Sequence, residues 1–431
     1  MEGPRLKIKA LNEFDLAGKT IIFRPDINSP ISAETKKIVN TNRIEKTIPT
    51  LKKLLDDGAK VAIIAHQGDT LDYPNLIPMK EHAEKLSSLI EKEIAYIDDV
   101  CGPSAITAVK NLKNGTAILL GNLRYLTEEI SGFEKEVKLK AEEMLDTWLI
   151  RSLAPLADLY VNDAFAAAHR NAPSLVAFQE LLPTAGGVQF MEEYTALKSV
   201  MDNPKRPCVF VLGGAKISDA FGMMKKVLED NSADFILAGG VTGLLMLFAK
   251  GIKLGKATEK FFSDKDLLAF VPTAKELLSK WENHYVLPVD LACERSGNRS
   301  EIEVAKLSMD FSDNILFPDI GDATIELFKE KIEKAGSVFV NGPAGMYENP
   351  LWEKGTKEIW NAIADASGYT VVGGGDTISA ATKFTDLKKY SYICTAGGAM
   401  VNFLAGKKLP LIIAMEKAFE RNLCEPIRRP Y

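Results

Sequence analysis

The sequence predicts an α/β protein built as two doubly wound, parallel-sheet (Rossmann-like) domains joined by a hinge helix. Three observations carry this. At 431 residues the chain is too long for one ordinary core and sufficient for two. Short apolar runs alternate with longer, helical-looking stretches along its whole length, the order that builds parallel sheets. The runs are rich in Val and Ile and nearly unbroken in hydrophobicity, as strands covered on both faces must be.

In chain order the runs fall at residues 20–23, 61–65, 117–120, 159–161, 209–212, 235–238, 338–340 and 369–372. Helices are expected between them, for example over 47–57, 80–92 and 324–335. Residues 188–203 (VQFMEEYTALKSVMDN) read as one more helix, closed by Pro204 and Pro207. This is the expected hinge, dividing residues 1–188 from 189–406, although an ordinary crossover helix would read the same way.

Composition narrows the function. A net charge of -5 argues against a general nucleic-acid binder, while leaving room for a local basic site that holds a small anion. The five cysteines are scattered and without CxxC spacing, which fits neither a disulfide framework nor a zinc site and suits a reducing cytoplasm. The first residues lack the apolar core of a signal peptide, and no run of about 18 apolar residues occurs. A soluble, cytoplasmic protein is the expectation.

Ligands of open parallel sheets bind beyond the carboxyl ends of the strands, and the two halves differ there. In the first half the runs lead into cations and hydrogen-bonding groups. Arg24, Asp26 and Asn28 lie in FRPDINSP, and Arg43 in TNRIEK. His66 lies in AHQGDT, and Asn122 and Arg124 in GNLRY. Asn162, Asp163, His169 and Arg170 lie in VNDAFAAAHR. Taken singly, each is more often a surface ion-pair partner, or for His66 a structural histidine. Repeated past successive strand ends, arginine forks would clamp a phosphate or carboxylate.

In the second half the runs lead into glycines. Gly213 and Gly214 precede Lys216 in LGGAKISD, and Gly239 and Gly240 lie in AGGVTG. Asn341, Gly342 and Pro343 open NGPAGMYE, and Gly373, Gly374 and Gly375 precede Asp376 and Thr377 in GGGDTIS. TAGGAM, with Gly398, follows. Glycine lets backbone approach a ligand, and the next helix offers free N–H groups to phosphate. One such turn often serves packing alone; five favour a nucleotide cradle. Lys216 can reach phosphate oxygens, and Asp376 is a hard oxygen ligand suited to Mg2+. GxxxxGK[ST], GxGxxG and HExxH are all absent. A small-anion half and a nucleotide half imply transfer of a phosphoryl group, with water excluded by closure about the hinge.

In this order and spacing the segments resemble the phosphoglycerate kinase family over essentially the whole chain, with AHQG and the shape of the N-terminal segments leaning towards archaeal members. The resemblance implies reversible transfer between 1,3-bisphosphoglycerate plus ADP and 3-phosphoglycerate plus ATP. By motif match, Asp26, Asn28, Arg43, His66, Arg124 and Arg170 would bind the glycerate. Arg43, Lys216, Gly375 and Gly398 would stabilise the transferring group. Glu348 would meet the ribose and Asp376 the metal. The DIGDATIE segment at 319–326 belongs to the nucleotide side, and residues 407–431 would pack back on the first domain. A monomer is implied, with a dimer as the alternative.

Asp69 stands where many members carry a basic residue, Ala220 where a second lysine is common, and Ala396 where a first glycine is usual. Tyr392 and Cys394 replace the commoner His and Ser. A kinase of this fold acting on another small acid, and a catalytically impaired nucleotide-binding paralogue, are the alternatives these departures raise.

Overall fold

The computed structural model describes residues 7–68, 73–307 and 314–429; Asp69 lies outside them. The chain divides into two units, Met1–Thr195 with Lys408–Tyr431, and Ala196–Lys407. Each is built on a six-stranded parallel sheet.

The first unit holds β1 (Thr20–Pro25), β2 (Lys60–Ile63), β3 (Ile94–Tyr96), β4 (Thr116–Leu119), β5 (Leu159–Asp163) and β6 (Thr184–Gly186), in the order β3-β4-β2-β1-β5-β6. The centre of the sheet is sealed: β5 is buried throughout and β1 at all but its first residue. The apolar runs therefore find the central strands. Edge strands β3 and β6 have only three residues each, too few to set up a periodic pattern. The helix expected from residue 47 begins earlier, as Asn42–Asp56, and carries Pro49 inside it. Proline lacks an N–H and costs an intrahelical bond, so it reads in sequence as a start; the amphipathic face carries the helix across it.

The second unit holds β7 (Cys208–Leu212), β8 (Phe235–Ala238), β9 (Tyr285–Val286), β13 (Ser337–Asn341), β14 (Tyr369–Gly373) and β15 (Tyr392–Cys394), ordered β15-β14-β13-β7-β8-β9. Phe210 and Phe339 are fully buried on paired strands with ring centroids 5.2 Å apart; each such side chain contributes about 1.5–3 kcal/mol by burial. A separate antiparallel sheet, ordered β11-β10-β12, comprises β10 (Asp290–Arg295), β11 (Asn298–Glu303) and β12 (Asp319–Ile320). Its polar, charged β11 carries no apolar run, so the sequence pattern does not reveal it.

A helix, Val188–Met201, spans the division of the chain. Its first turn is held by Asp163 at the end of β5: Oδ1 accepts from the Phe190 N–H at 2.8 Å, and Oδ2 from the Thr50 hydroxyl at 2.6 Å. Thr50 Oγ1 in turn accepts from the Val188 N–H at 2.9 Å. The C-terminal helix Pro410–Arg421 joins the first unit, where Arg421 Nη1 donates to Glu180 Oε2 at 2.7 Å and the Leu411 N–H to the Ala168 carbonyl at 3.2 Å. Among the described residues no helix is long and apolar enough to cross a membrane.

Burial pushes Asp163 up to about 7. A carboxyl raised above its unfolded value contributes stability that is fully present below about pH 4 and lost as pH rises through about 7. Asp163→Asn removes that titration while keeping an oxygen for the helix. The variant should therefore gain on the parent between pH 4 and pH 8, by roughly 4 kcal/mol at most. Urea unfolding midpoints of both proteins at the two pH values check this, and a pH-independent difference would contradict it.

Candidate active site

In the first unit, β1 and β5 end side by side, with Arg24 paired to Asn162 and Pro25 to Asp163. The groups beyond them are joined by hydrogen bonds. Arg43, on the first turn of its helix, donates from Nη1 to Asp26 Oδ2 at 2.8 Å, and Asp26 Oδ1 accepts from the Asn28 N–H at 3.2 Å. Asn28 Oδ1 accepts from the Gly68 N–H at 3.0 Å. Arg124 donates from Nε to the Gly68 carbonyl at 3.4 Å and from Nη1 to the Glu129 carbonyl at 2.5 Å. A cavity of about 300 Å3 opens here, lined by Asn28, Arg43, Gln67, Gly68 and Asn75 among others.

His66 is buried beneath this rim. Arg24 Nη2 donates to its Nδ1 at 2.9 Å, so the ring proton belongs on Nε2. Burial first, and then the charges of Arg24, Arg124, Arg170 and Arg43, hold His66 well below its usual value. The imidazole is therefore a neutral donor at physiological pH, and the arginines it senses are those that converge there. Arg170 donates from Nε to Glu134 Oε2 at 2.6 Å, while its buried Nη2 has no partner among the described residues.

Arg24 itself is not a rim cation. It is 2% exposed and spends its guanidinium on His66, on Ser174 Oγ at 3.2 Å and on the Pro25 carbonyl at 2.6 Å. Strand alternation turns it inward. Asn162 and Asp163 are also interior groups: Asn162 donates to the Tyr160 hydroxyl at 2.7 Å, and Asp163 holds the helix described above. His169 is exposed; it is lowered by desolvation and then by Arg170. Sequence reading passed over Gln67 as a functional group. Its Oε1 accepts from the Ser29 N–H and from His82 Nε2, both at 2.9 Å, which fixes the loop after β2. Its position beside His66 in AHQG was the available signal.

In the second unit the loops after β7, β13 and β14 meet. Gly213 donates to the Asn341 carbonyl at 3.0 Å and Gly214 to the Pro343 carbonyl at 2.8 Å. Asn341 Nδ2 donates to the Gly373 carbonyl at 2.9 Å, and the Gly342 N–H to Thr377 Oγ1 at 2.7 Å. Gly374, at φ 95°, adopts a turn that a side chain would strain, and the helix Gly375–Phe384 starts directly after it. These residues enclose a cavity of about 190 Å3, lined also by Lys216, Asp219, Asp376, Gly397 and Gly398. Lys216 Nζ lies 3.7 Å from Asp376 Oδ2, and both side chains are more than half exposed. The cavity is thus ringed by backbone and carries one cation beside a carboxylate, which suits phosphate oxygens.

The cavity brings together Gly213, Gly214, Lys216, Asn341, Gly342, Pro343, Gly374, Gly375, Asp376, Thr377 and Gly398. Gly239, Gly240, Gly373 and Glu348 do not line it. Gly240 supports it from behind, donating to the Ala344 carbonyl at 2.8 Å, and Gly373 packs against Met400. Glu348 is exposed on the loop after β13. Ala220 and Ala396 are buried. Asp219, inside the quoted LGGAKISD segment, is a charged lining residue that sequence reading did not single out; Ala215 and Val401 are apolar ones.

A sequence profile of the family described as phosphoglycerate kinase matches residues 11–407. The chain is 40% identical to the phosphoglycerate kinase of Methanococcus maripaludis, over 96% of this chain and 99% of that one. It is 37% identical to that of Methanothermus fervidus, over 96% and 98%. Among solved structures, phosphoglycerate kinase from Pyrococcus horikoshii superposes with a TM-score of 0.81 at 35% identity, covering 96% of this chain and all of that one. The Coxiella burnetii phosphoglycerate kinase gives 0.80 at 28% identity, covering 95% and 99%.

The cradle's glycines separate into two kinds. A Cβ on Gly213 would lie 2.2 Å from the Pro343 carbonyl oxygen, whereas one on Gly375 would meet nothing within 4 Å. Gly213→Ala should cost about 1–3 kcal/mol, because backbone must move. Gly375→Ala, at a helix start, should leave stability unchanged or raise it by up to about 1 kcal/mol. Thermal unfolding of the pair decides; equal melting temperatures would overturn the close-packing account.

Proposed function

The chain belongs to the phosphoglycerate kinase family, and on that premise we propose how its residues divide the work. The protein is a phosphotransferase with a carboxyl acceptor, acting between 1,3-bisphosphoglycerate plus ADP and 3-phosphoglycerate plus ATP. In the proposed division, the unit Met1–Thr195 with Lys408–Tyr431 takes the glycerate, and Ala196–Lys407 takes the nucleotide.

The observation that carries this reading is the contrast between the sites: arginines gathered around a neutral His66, against a glycine-walled cavity with Lys216 and Asp376 at its mouth. Arg124, Arg170 and the His66 Nε2–H bind the acid's phosphate and carboxylate. Asp26 and Asn28 orient its hydroxyl. Arg43, more exposed than its partner Asp26, swings to the transferring phosphoryl group. The N–H groups of Gly374 and Gly375 hold nucleotide phosphates with Lys216 and Thr377. Gly213 and Gly214 wall the cavity, their N–H groups held by the Asn341 and Pro343 carbonyls, while Gly398 faces the charge that builds during transfer. Glu348 takes the ribose.

No general base is needed. The acceptor carboxylate is ionised at neutral pH, so positioning and electrostatic stabilisation supply the catalysis. Asp376 suits Mg2+ as a hard, exposed carboxylate beside the phosphate cavity. Among the described residues no cluster of three or more His, Cys, Asp or Glu offers a closed metal cage. The ion would bind as Mg2+ commonly does, through one or two carboxylates, phosphate oxygens and water. Bound there, it would neutralise phosphate charge. Five cysteines, none in a disulfide, support a reducing cytoplasm, and a monomer is the proposed form because one chain supplies both ligand sites.

Replacing Arg43 or Lys216 with Ala should lower kcat by about 10²–10³-fold, the loss typical of one preorganised contact to transition-state charge. Melting temperature should hold, since both side chains are substantially exposed. A coupled assay with 3-phosphoglycerate, ATP and Mg2+ measures the effect. Wild-type rates in either variant would remove that residue from the catalytic set.

A further inference from the structure

One acidic segment braces the arginines of the first unit. Arg124 Nη1 donates to the Glu129 carbonyl oxygen at 2.5 Å. The buried Glu129 carboxylate accepts from the Ser174 N–H and hydroxyl, both at 2.7 Å, and Ser174 Oγ accepts from Arg24. Five residues further on, Glu134 sits on the short helix Ser131–Val137. Its Oε2 accepts from Arg170 Nε at 2.6 Å, and its Oε1 from the Asn171 N–H. Asn171 Nδ2 donates to the Leu139 carbonyl at 2.9 Å, tying the same corner down a second time. Glu134 and Arg170 side chains are each 16% exposed.

We infer that Glu134 is a positioning residue for the acid substrate: it clamps Arg170 at Nε so that the Nη1–Nη2 end of the guanidinium faces the bound anion. The inference rests on the reading of Arg170 as a glycerate ligand. Two features support it. The Arg170 side chain is otherwise long and flexible, with about 2 kcal/mol of rotamer entropy, and a carboxylate on Nε fixes the plane of the fork. Among the described residues the buried Arg170 Nη2 has no partner, although buried donors in folded proteins are almost always paired; a substrate oxygen would complete it.

Charge alone predicts the opposite result. A carboxylate beside Arg170 weakens the local positive potential, so removing it should tighten anion binding if Glu134 were a bystander. Positioning predicts a loss. In Glu134→Ala, the KM for 3-phosphoglycerate should rise by about ten- to a hundredfold, the range for one misdirected hydrogen bond to a charged group. The KM for ATP should stay within about twofold. Glu134→Gln, which keeps one acceptor oxygen, should lie between Ala and the parent. It also carries the test if Glu134→Ala does not fold. In an Arg170→Ala background, Glu134→Ala or Glu134→Gln should add less than about twofold, because its effect passes through Arg170.

A KM for 3-phosphoglycerate that falls or does not move in both Glu134 variants overturns the inference, as does an equal rise with Arg170 already removed. Arg170→Ala with a parental KM for 3-phosphoglycerate would instead defeat the reading of Arg170 itself, and the inference with it.

Discussion

In each unit one pairing between strands far apart in sequence sets where chemistry can occur: β1 with β5, and β7 with β13. Parallel pairing sends every strand of a sheet out through the same edge. Where the strand order reverses, the loops leave in opposite directions and a crevice opens. Arg24 faces Asn162 across the first such seam, and Leu212 faces Asn341 across the second. The loops that follow have little choice about their neighbours. The GNLRY and VNDAFAAAHR segments are brought to the rim that FRPDINSP occupies, and NGPAGMYE is laid against LGGAKISD.

The two seams solve the problem of holding an anion differently, and burial explains how. In the second unit the backbone does the holding, so the loops must touch. Gly213 and Gly342 approach so closely that a Cβ on either would overlap the other loop's carbonyl oxygen, and side chains are confined to the mouth. In the first unit, side chains hold the anion. Long cations at a crevice cost conformational entropy and repel one another, which is why acidic and carbonyl acceptors thread among them. Arg43 leans on Asp26, Arg124 on the Glu129 carbonyl and Arg170 on Glu134. Arg24 goes further, buried at the centre and used to set the tautomer of His66.

This division explains what the sequence disclosed. Central strands were legible because covered strands must be apolar on both faces, and the cradle because its close-packed positions, Gly213 and Gly342 among them, tolerate no Cβ. The edge strands were too short to show a period, and the β10–β11–β12 sheet is too polar on its outer strand. At the rim, the arginines could be placed past strand ends but not aimed. Alternation turns Arg24 inward, and no short-range pattern in FRPDINSP distinguishes it from a surface cation. Glu129 and Glu134 left no signal, since a carboxylate that serves a distant guanidinium has no spacing rule. Gly239 and Gly240 belong to the same glycine-rich pattern as the lining residues, yet they stand behind the wall.

The buried acids of the first unit follow from the same requirement. Burial raises Glu129 and takes Asp163 up to about 7, while Arg24 is lowered, so each ionised form is disfavoured inside the fold. Replacing such groups by apolar residues of similar volume often leaves stability unchanged or improves it. Their value here is directional. Glu129, through Ser174, fixes Arg24, and Arg24 fixes which nitrogen of His66 carries a proton. Asp163, one residue past Asn162, fixes the start of the helix Val188–Met201. An apolar core could fill the same volume, but it could not specify a tautomer, a guanidinium plane or a helix start. The costly groups therefore lie where β1 and β5 end, at the one place in this unit where direction matters more than burial.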